Sequence, residues 1–255
     1  MFIPVKDASI FATAFGPVDA PVIVGLGGWI GNWELWQEPF SRMSAAWRAI
    51  AFDHRGCGLT LAPLESIQYS TLVEDVCAVL DAYQVQQCIL AAESAGARIA
   101  LGAALRFPDR ITGLVIVDGS YAYSRVEPND PFLAALRTSY PQTIHNFVEA
   151  CVPEPDSEQI KMWGRKLLLR AEPQAAEALY GLSGAVDLRE QLPEIQQPTL
   201  ILHGEADVIV PIASSEKLAA ALPDAKLVRL PGIGHVPTMT CPERVVEEIN
   251  AFFCR

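Results

Sequence analysis

The chain has 255 residues, 51% of them hydrophobic, and a formal net charge of −11. That length and apolar content suit one domain with a large core and an insertion. The acidic balance excludes a nucleic-acid partner, because phosphate backbones are held by Lys and Arg contacts that release counterions.

The amino-terminal run Met1-Phe2-Ile3-Pro4-Val5-Lys6-Asp7 lacks the basic start, apolar stretch and small-residue cleavage site of a secretion signal. Residues 2–6, 10–14, 22–26 and 48–52 are short β-rich runs and read as strands. A helix is expected next, with Leu72, Val76, Val79, Leu80 and Tyr83 on one stripe and Thr71 with Glu74 placed as a capping box. Residues 88–92 form a strand that runs straight into an Ala/Gly-rich helix over residues 95–107, polar almost only at Arg98 and Arg106 and therefore suited to the interior. The most apolar part of this stretch is broken by Glu93 and Arg98, so it falls short of the roughly 20 apolar residues of a membrane span. The strand over 113–117 ends at Asp118. From 119 to 192 the sequence carries helical stretches and no strand runs, and the prolines at 128, 131, 141, 153, 155, 173 and 193 divide it into short pieces. Strands resume at 199–202 and 226–230. Thr240 and Glu243 then repeat the capping pattern ahead of Val245, Val246, Ile249, Phe252 and Phe253. This alternation predicts an α/β domain with a mostly parallel eight-stranded sheet flanked by helices, built from residues 1–118 and 193–255, with a helical cap inserted as residues 119–192. The six cysteines show no CxxC spacing and read as reduced thiols, which with the missing signal predicts a cytoplasmic protein, monomeric or homodimeric, without a membrane partner.

The strongest local signal is Cys88-Ile89-Leu90-Ala91-Ala92-Glu93-Ser94-Ala95-Gly96-Ala97, in which a serine sits where a strand meets a helix. A tight strand–Ser–helix turn needs small residues two before and two after the serine, and Ala92 and Gly96 supply them; the usual G-x-S-x-G pattern has its first glycine replaced by alanine. Taken alone, such a serine is equally well a helix N-cap. A hydroxyl becomes a useful nucleophile when a base removes its proton and a third group fixes the base's tautomer. Asp207 follows the strand at 199–202, and His235 follows the strand at 226–230 in Pro231-Gly232-Ile233-Gly234-His235-Val236-Pro237, so Ser94, Asp207 and His235 occur in the order such a site requires. The other three histidines, His54, His145 and His203, have structural readings. An oxyanion hole needs two aimed backbone N–H groups; the candidates are Ala95, after the serine, and Trp29, in the Gly27-Gly28-Trp29-Ile30-Gly31-Asn32 loop after the strand at 22–26, with the Trp29 indole shaping the acyl pocket.

With these residues the sequence resembles the α/β-hydrolase family, close to its bacterial esterase, lactonase and C–C-bond hydrolase branch. Phe52-Asp53-His54-Arg55-Gly56-Cys57-Gly58 is similar to the family's D-x-R-G-x-G loop, and Phe107-Pro108-Asp109-Arg110-Ile111 leads into a matching sixth strand. The resemblance implies Ser94 as nucleophile, Asp207 as acid, His235 as base, and Trp29 and Ala95 as oxyanion donors. It also implies a looser oxyanion loop, because Gly27 stands where the family usually has a bracing histidine. Asp118 and Glu205 are weaker candidates for the acid. Glu93 reads as a solvated or hydrogen-bonded carboxylate. Lys161, Arg165, Lys166 and Arg170 form a basic face at helical spacing that reads as solvated or as an attractor of anionic substrates, and Tyr121, Tyr123, Phe132, Phe147 and Trp163 are candidate pocket walls from the cap. No metal-ligand spacing, P-loop or dinucleotide motif occurs. The expected protein is a serine hydrolase with no cofactor, acting on a small-molecule ester or lactone. Alternatives on the same residues are C–C-bond hydrolysis, perhydrolysis, and ligand sensing with little turnover.

Overall fold

The computed structural model describes residues 1–121 and 126–254, apart from the side chain of Ser183. The strands are β1 (Phe2–Val5), β2 (Ala8–Phe15), β3 (Val22–Leu26), β4 (Arg48–Phe52), β5 (Cys88–Glu93), β6 (Ile111–Val117), β7 (Thr199–Gly204) and β8 (Ala225–Leu230). They form one eight-stranded sheet in the order β1-β2-β4-β3-β5-β6-β7-β8. β2 pairs antiparallel with both β1 and β4, and the remaining pairs are parallel.

The apolar runs are continuous because both faces of the central strands are covered. Successive side chains point to opposite faces. Thus Val24, Leu26, Ile50, Phe52, Leu90, Leu114 and Ile116 join one core cluster, while Ile23, Ala49, Ala51, Ile89, Val115 and Val117 join a second. The first is covered by α2 (Tyr69–Ala82), α3 (Gly96–Arg106) and α8 (Ile212–Ala221), through residues such as Leu72, Val76, Leu80, Leu101 and Leu218. The second is covered by α1 (Gln37–Met43) and α10 (Pro242–Phe253), through Phe40, Met43, Val245 and Ile249, with Trp36 and Trp47 beside them.

The two capping boxes expected from sequence do not form. α2 starts at Tyr69 after Gln68, so Thr71 lies inside the first turn. Tyr69 packs against Gly102 and its hydroxyl donates to the Arg98 carbonyl at 3.0 Å, which anchors the start of α2 ahead of Thr71. Near the carboxyl end, a short helix, α9 (Pro237–Thr240), precedes α10. Thr240 closes it by donating to Val236 O, and α10 begins with Pro242, whose missing N–H costs nothing in a first turn.

Between β6 and β7 the chain forms α4 (Pro131–Thr138), α5 (Tyr140–Cys151), α6 (Glu158–Leu168) and α7 (Pro173–Gly181). α4 packs on α5 and α7, and α5 packs on α6. This helical insertion covers the carboxyl ends of the parallel strands, where open α/β sheets carry their sites. Among the described residues no helix is long and apolar enough to cross a membrane.

Candidate active site

β5 ends at Glu93 and α3 begins at Gly96, leaving a turn of Ser94 and Ala95. Ser94 has φ +50°, a left-handed conformation that few residues other than glycine adopt. It is held there from three sides: Ser94 N–H donates to Val117 O at 2.9 Å, and Ser94 O accepts from Ala97 and Ser120, both at 3.1 Å. Only hydrogen fits on the neighbouring glycines. A Cβ on Gly96 would lie 2.4 Å from Gly27 O, and one on Gly28 would lie 2.9 Å from Ser94 Cβ. The strained turn therefore lifts the Ser94 hydroxyl out of the sheet edge and brings it against the loop after β3.

His235 comes to the same point from the loop after β8. Its Nε2 is 2.9 Å from Ser94 Oγ, and its Nδ1 is 2.7 Å from Asp207 Oδ2. Both His235 and Asp207 are buried. A carboxylate only accepts, so Nδ1 carries the proton and Nε2 offers its lone pair to the serine hydroxyl. Asp207 is aimed by its own turn, its Oδ1 accepting from Ile209 N–H at 2.7 Å and Val210 N–H at 3.0 Å. That turn is fixed from beneath. Burial lowers the pKa of His203, so its neutral ring donates from Nε2 to Val210 O at 2.9 Å and accepts the Ser215 hydroxyl at 2.7 Å.

Neither weaker acid candidate contacts His235. Asp118 is fully buried at the end of β6, where its Oδ1 accepts from Gly204 N–H at 2.8 Å and stitches β6 to β7. Burial, and then the nearby Asp207 charge, push its carboxyl well above the usual range. Glu205 is exposed. Glu93 is buried rather than solvated; Thr238 Oγ1 donates to it at 3.0 Å, and burial pushes its pKa up to about 8.

Trp29 lines the same cavity as Ser94, Ala95 follows Ser94 in the turn, and neither backbone N–H meets a hydrogen-bond acceptor among the described residues. The loop that carries Trp29 is not loose, as the missing histidine had implied. A Cβ on Gly27 would lie 2.6 Å from Gly31 O, so the loop closes on itself where the family's side chain would stand. The brace comes instead from the β4 loop, where His54 Nε2 contacts Gly28 O at 2.8 Å. Burial lowers the pKa of His54, and the neutral ring's single N–H goes to this shorter contact rather than to Arg55 O at 3.1 Å. Asp53 assists by accepting from Trp33 N–H and Leu59 N–H, both at 2.7 Å.

A cavity of about 60 Å³ opens on Ser94 and His235. Its walls are mainly aliphatic: Leu35 and Met239 from the core, and Val148, Val152, Ile160 and Leu167 from the cap. Of the cap aromatics expected to line it, Phe147 does. Phe132 stands behind Trp29 at 5.2 Å between ring centroids, Trp163 turns away to donate to Glu34 Oε2 at 2.9 Å, Tyr121 is buried away from the cavity, and Tyr123 lies outside the described residues. The aliphatic walls were present in the sequence as the apolar stripes of α5 and α6, which core packing also explains. The basic face is largely neutralised: Lys161 and Arg165 pair with Glu149, and Arg170 pairs with Glu34.

A family model described as serine aminopeptidase, S33, matches residues 21–239. A pimeloyl-[acyl-carrier protein] methyl ester esterase of Aeromonas hydrophila is 30% identical over 259 residues, covering 96% of this chain and 99% of that protein. A karrikin insensitive 2 receptor of Petunia hybrida is 28% identical over 227 residues, covering 83% of this chain and 84% of that protein. The crystal structure of the enol-lactonase from Burkholderia xenovorans superposes with a TM-score of 0.92 at 20% identity, covering 100% of both chains.

Proposed function

Because the chain belongs to the serine aminopeptidase S33 family and has the α/β-hydrolase fold, we propose that it hydrolyses a small or medium carboxylic ester or lactone through an acyl-enzyme on Ser94. The observation that carries this reading is the continuous hydrogen-bonded line from Ser94 Oγ through His235 to Asp207 Oδ2. The esterase and lactonase among the similar proteins support the same bond type.

In this mechanism Ser94 Oγ attacks the carbonyl carbon as His235 Nε2 takes its proton. Asp207, held by two N–H donors, stabilises the imidazolium that results. The carbonyl oxygen becomes negative between the Trp29 and Ala95 N–H groups, which need no reorganisation to receive it. His235 returns the proton to the leaving alkoxide, which stays tethered to the acyl group when the substrate is a lactone. Water then attacks the acyl-enzyme by the same route. The acyl chain occupies the aliphatic cavity between α5, α6 and the core.

Apart from Ser94 and His235, Glu93 and Cys151 are the only polar residues on that cavity's wall among the described residues. This favours ester hydrolysis over C–C cleavage, which must accommodate an enolate. The test is steady-state hydrolysis of p-nitrophenyl esters from acetate to octanoate by wild type and Ser94→Ala. The reading expects wild-type turnover and a loss of several orders of magnitude in kcat for the variant. A variant as active as wild type overturns it.

A further inference from the structure

The His235 loop is fastened to the cap as well as to the sheet. His235 N–H donates to Cys151 O, at the carboxyl end of α5, at 2.8 Å. The preceding Gly234 N–H donates to Glu154 Oε1, also at 2.8 Å. Two consecutive donors thus reach two acceptors three residues apart in the cap. The fit is close: a Cβ on Gly234 would lie 2.3 Å from Pro153 Cδ and 2.4 Å from Cys151 O. The Glu154 turn is itself fixed, since Ser157 Oγ donates to Glu154 O at 2.6 Å. Glu154 Oε2 is buried and makes no hydrogen bond among the described residues, so the bond made by Oε1 is what the carboxylate contributes here.

We propose that Glu154 is a positioning residue: by accepting from Gly234 N–H it sets His235 against Ser94, so that the cap and the base move as one body. This rests on the reading of His235 as the base. The loop on either side of Gly234 needs such an anchor. Gly232 has φ +75° and Gly234 has no side chain, so both give the chain freedom that the sheet alone does not remove. A shift of about 1 Å in Nε2 is enough to cost up to roughly 100-fold in rate. Cap displacement would therefore slow proton transfer as well as open the cavity.

The experiment compares wild type, Glu154→Ala and Glu154→Gln in two assays: kcat and KM on p-nitrophenyl butyrate, and the rate at which diethyl p-nitrophenyl phosphate modifies Ser94. Glutamine keeps an oxygen for Gly234 N–H. The expected result is a kcat lower by about 10-fold or more in Glu154→Ala with KM within about 2-fold, the same fall in modification rate, and recovery to within about 3-fold in Glu154→Gln. Unchanged kcat in Glu154→Ala overturns the inference. So does a fall in kcat that tracks a fall in Tm and is not rescued by glutamine, which would mark a purely structural role. If wild type neither turns over the ester nor reacts with the phosphate triester, the Ser94–His235 reading fails, and the inference with it.

Discussion

His54 Nε2 stands 2.8 Å from the carbonyl oxygen of Gly28, linking the loop after β4 to the loop that carries Trp29. Adjacent parallel strands β3 and β4 place these two loops side by side. Burial lowers the pKa of this imidazole, so it braces the loop that carries Trp29 by hydrogen bonding rather than by charge. His54→Ala is expected to lower kcat by about 10-fold with a smaller change in KM, because in the proposed mechanism it loosens the Trp29 oxyanion donor without removing it. His54→Gln, which keeps a donor, should recover part of the loss. Steady-state kinetics on the same ester checks both.

The same histidine has a signed effect on stability. Its folded pKa lies below 6.5, so as pH falls through 6.5 the unfolded chain takes up a proton that the native chain does not. Its contribution is therefore complete above that pH and is lost below it. Glu93 works in the opposite direction. With its pKa raised to about 8, the native chain keeps a proton that the unfolded chain releases near the ordinary carboxylate value of 4.5, so stability falls as pH rises between the two values. The limiting slope for one proton is about 1.4 kcal/mol per pH unit. Glu93→Gln should flatten the decline of Tm between pH 5 and pH 8, as followed by thermal melts in buffers of matched ionic strength. An unchanged slope would mean that Glu93 is ionised in the native protein.

Gly164 sits within α6 and lines the cavity, where a Cβ would meet Val148 at an ordinary 3.4 Å. Glycine is a poor helix residue, by roughly 0.5–1 kcal/mol relative to alanine, and nothing in the local backbone requires it. On the proposed function, its value here is the space it leaves for an acyl chain. Gly164→Ala is expected to raise Tm slightly and to lower kcat/KM on octanoate esters more than on acetate. Gly164→Leu should move the preferred acyl chain clearly toward acetate, with octanoate turnover falling about 10-fold or more, since a poorly fitting hydrophobic group costs on the order of 1–3 kcal/mol. A chain-length series checks this; equal losses at every length would contradict it.

Arg55 and Asp75 form a buried bidentate pair, with Nε to Oδ2 at 2.7 Å and Nη2 to Oδ1 at 3.0 Å. The pair ties the β4 loop, and through it His54, to α2. Removing one partner leaves a buried charge alone, so Asp75→Ala should cost about 3–5 kcal/mol in urea unfolding. The double change Arg55→Met with Asp75→Leu should recover most of that loss, because apolar side chains of similar size carry no stranded charge. A double variant as unstable as the single one would contradict this account.

The sequence made the Ser94 turn legible because its signal is local: a strand, a small–x–Ser–x–small run and a helix within a few residues. Asp207 and His235 were readable from their places after the last two strands. The contacts that hold these groups in place were not readable, because they join distant segments. His54 meets Gly28 only because β3 and β4 are neighbours, and Glu154 meets Gly234 only because the cap folds back over the sheet. Local signals also lost to tertiary ones. Thr71 and Thr240 sit in good capping patterns, yet Tyr69 packing on Gly102 and the intervening α9 move both helix starts. The basic face of α6 looked solvated because its partners, Glu149 on α5 and Glu34 beside the oxyanion loop, are remote in sequence.

The central claim is that the Ser94 hydroxyl is activated by His235, and the most direct measurement is the intact mass and peptide map of the protein after brief exposure to diethyl p-nitrophenyl phosphate. The expected result is a single diethylphosphoryl group on Ser94, with p-nitrophenol released in equal amount and no adduct in Ser94→Ala. An unmodified wild type, or an adduct on another residue that persists in Ser94→Ala, would contradict the account.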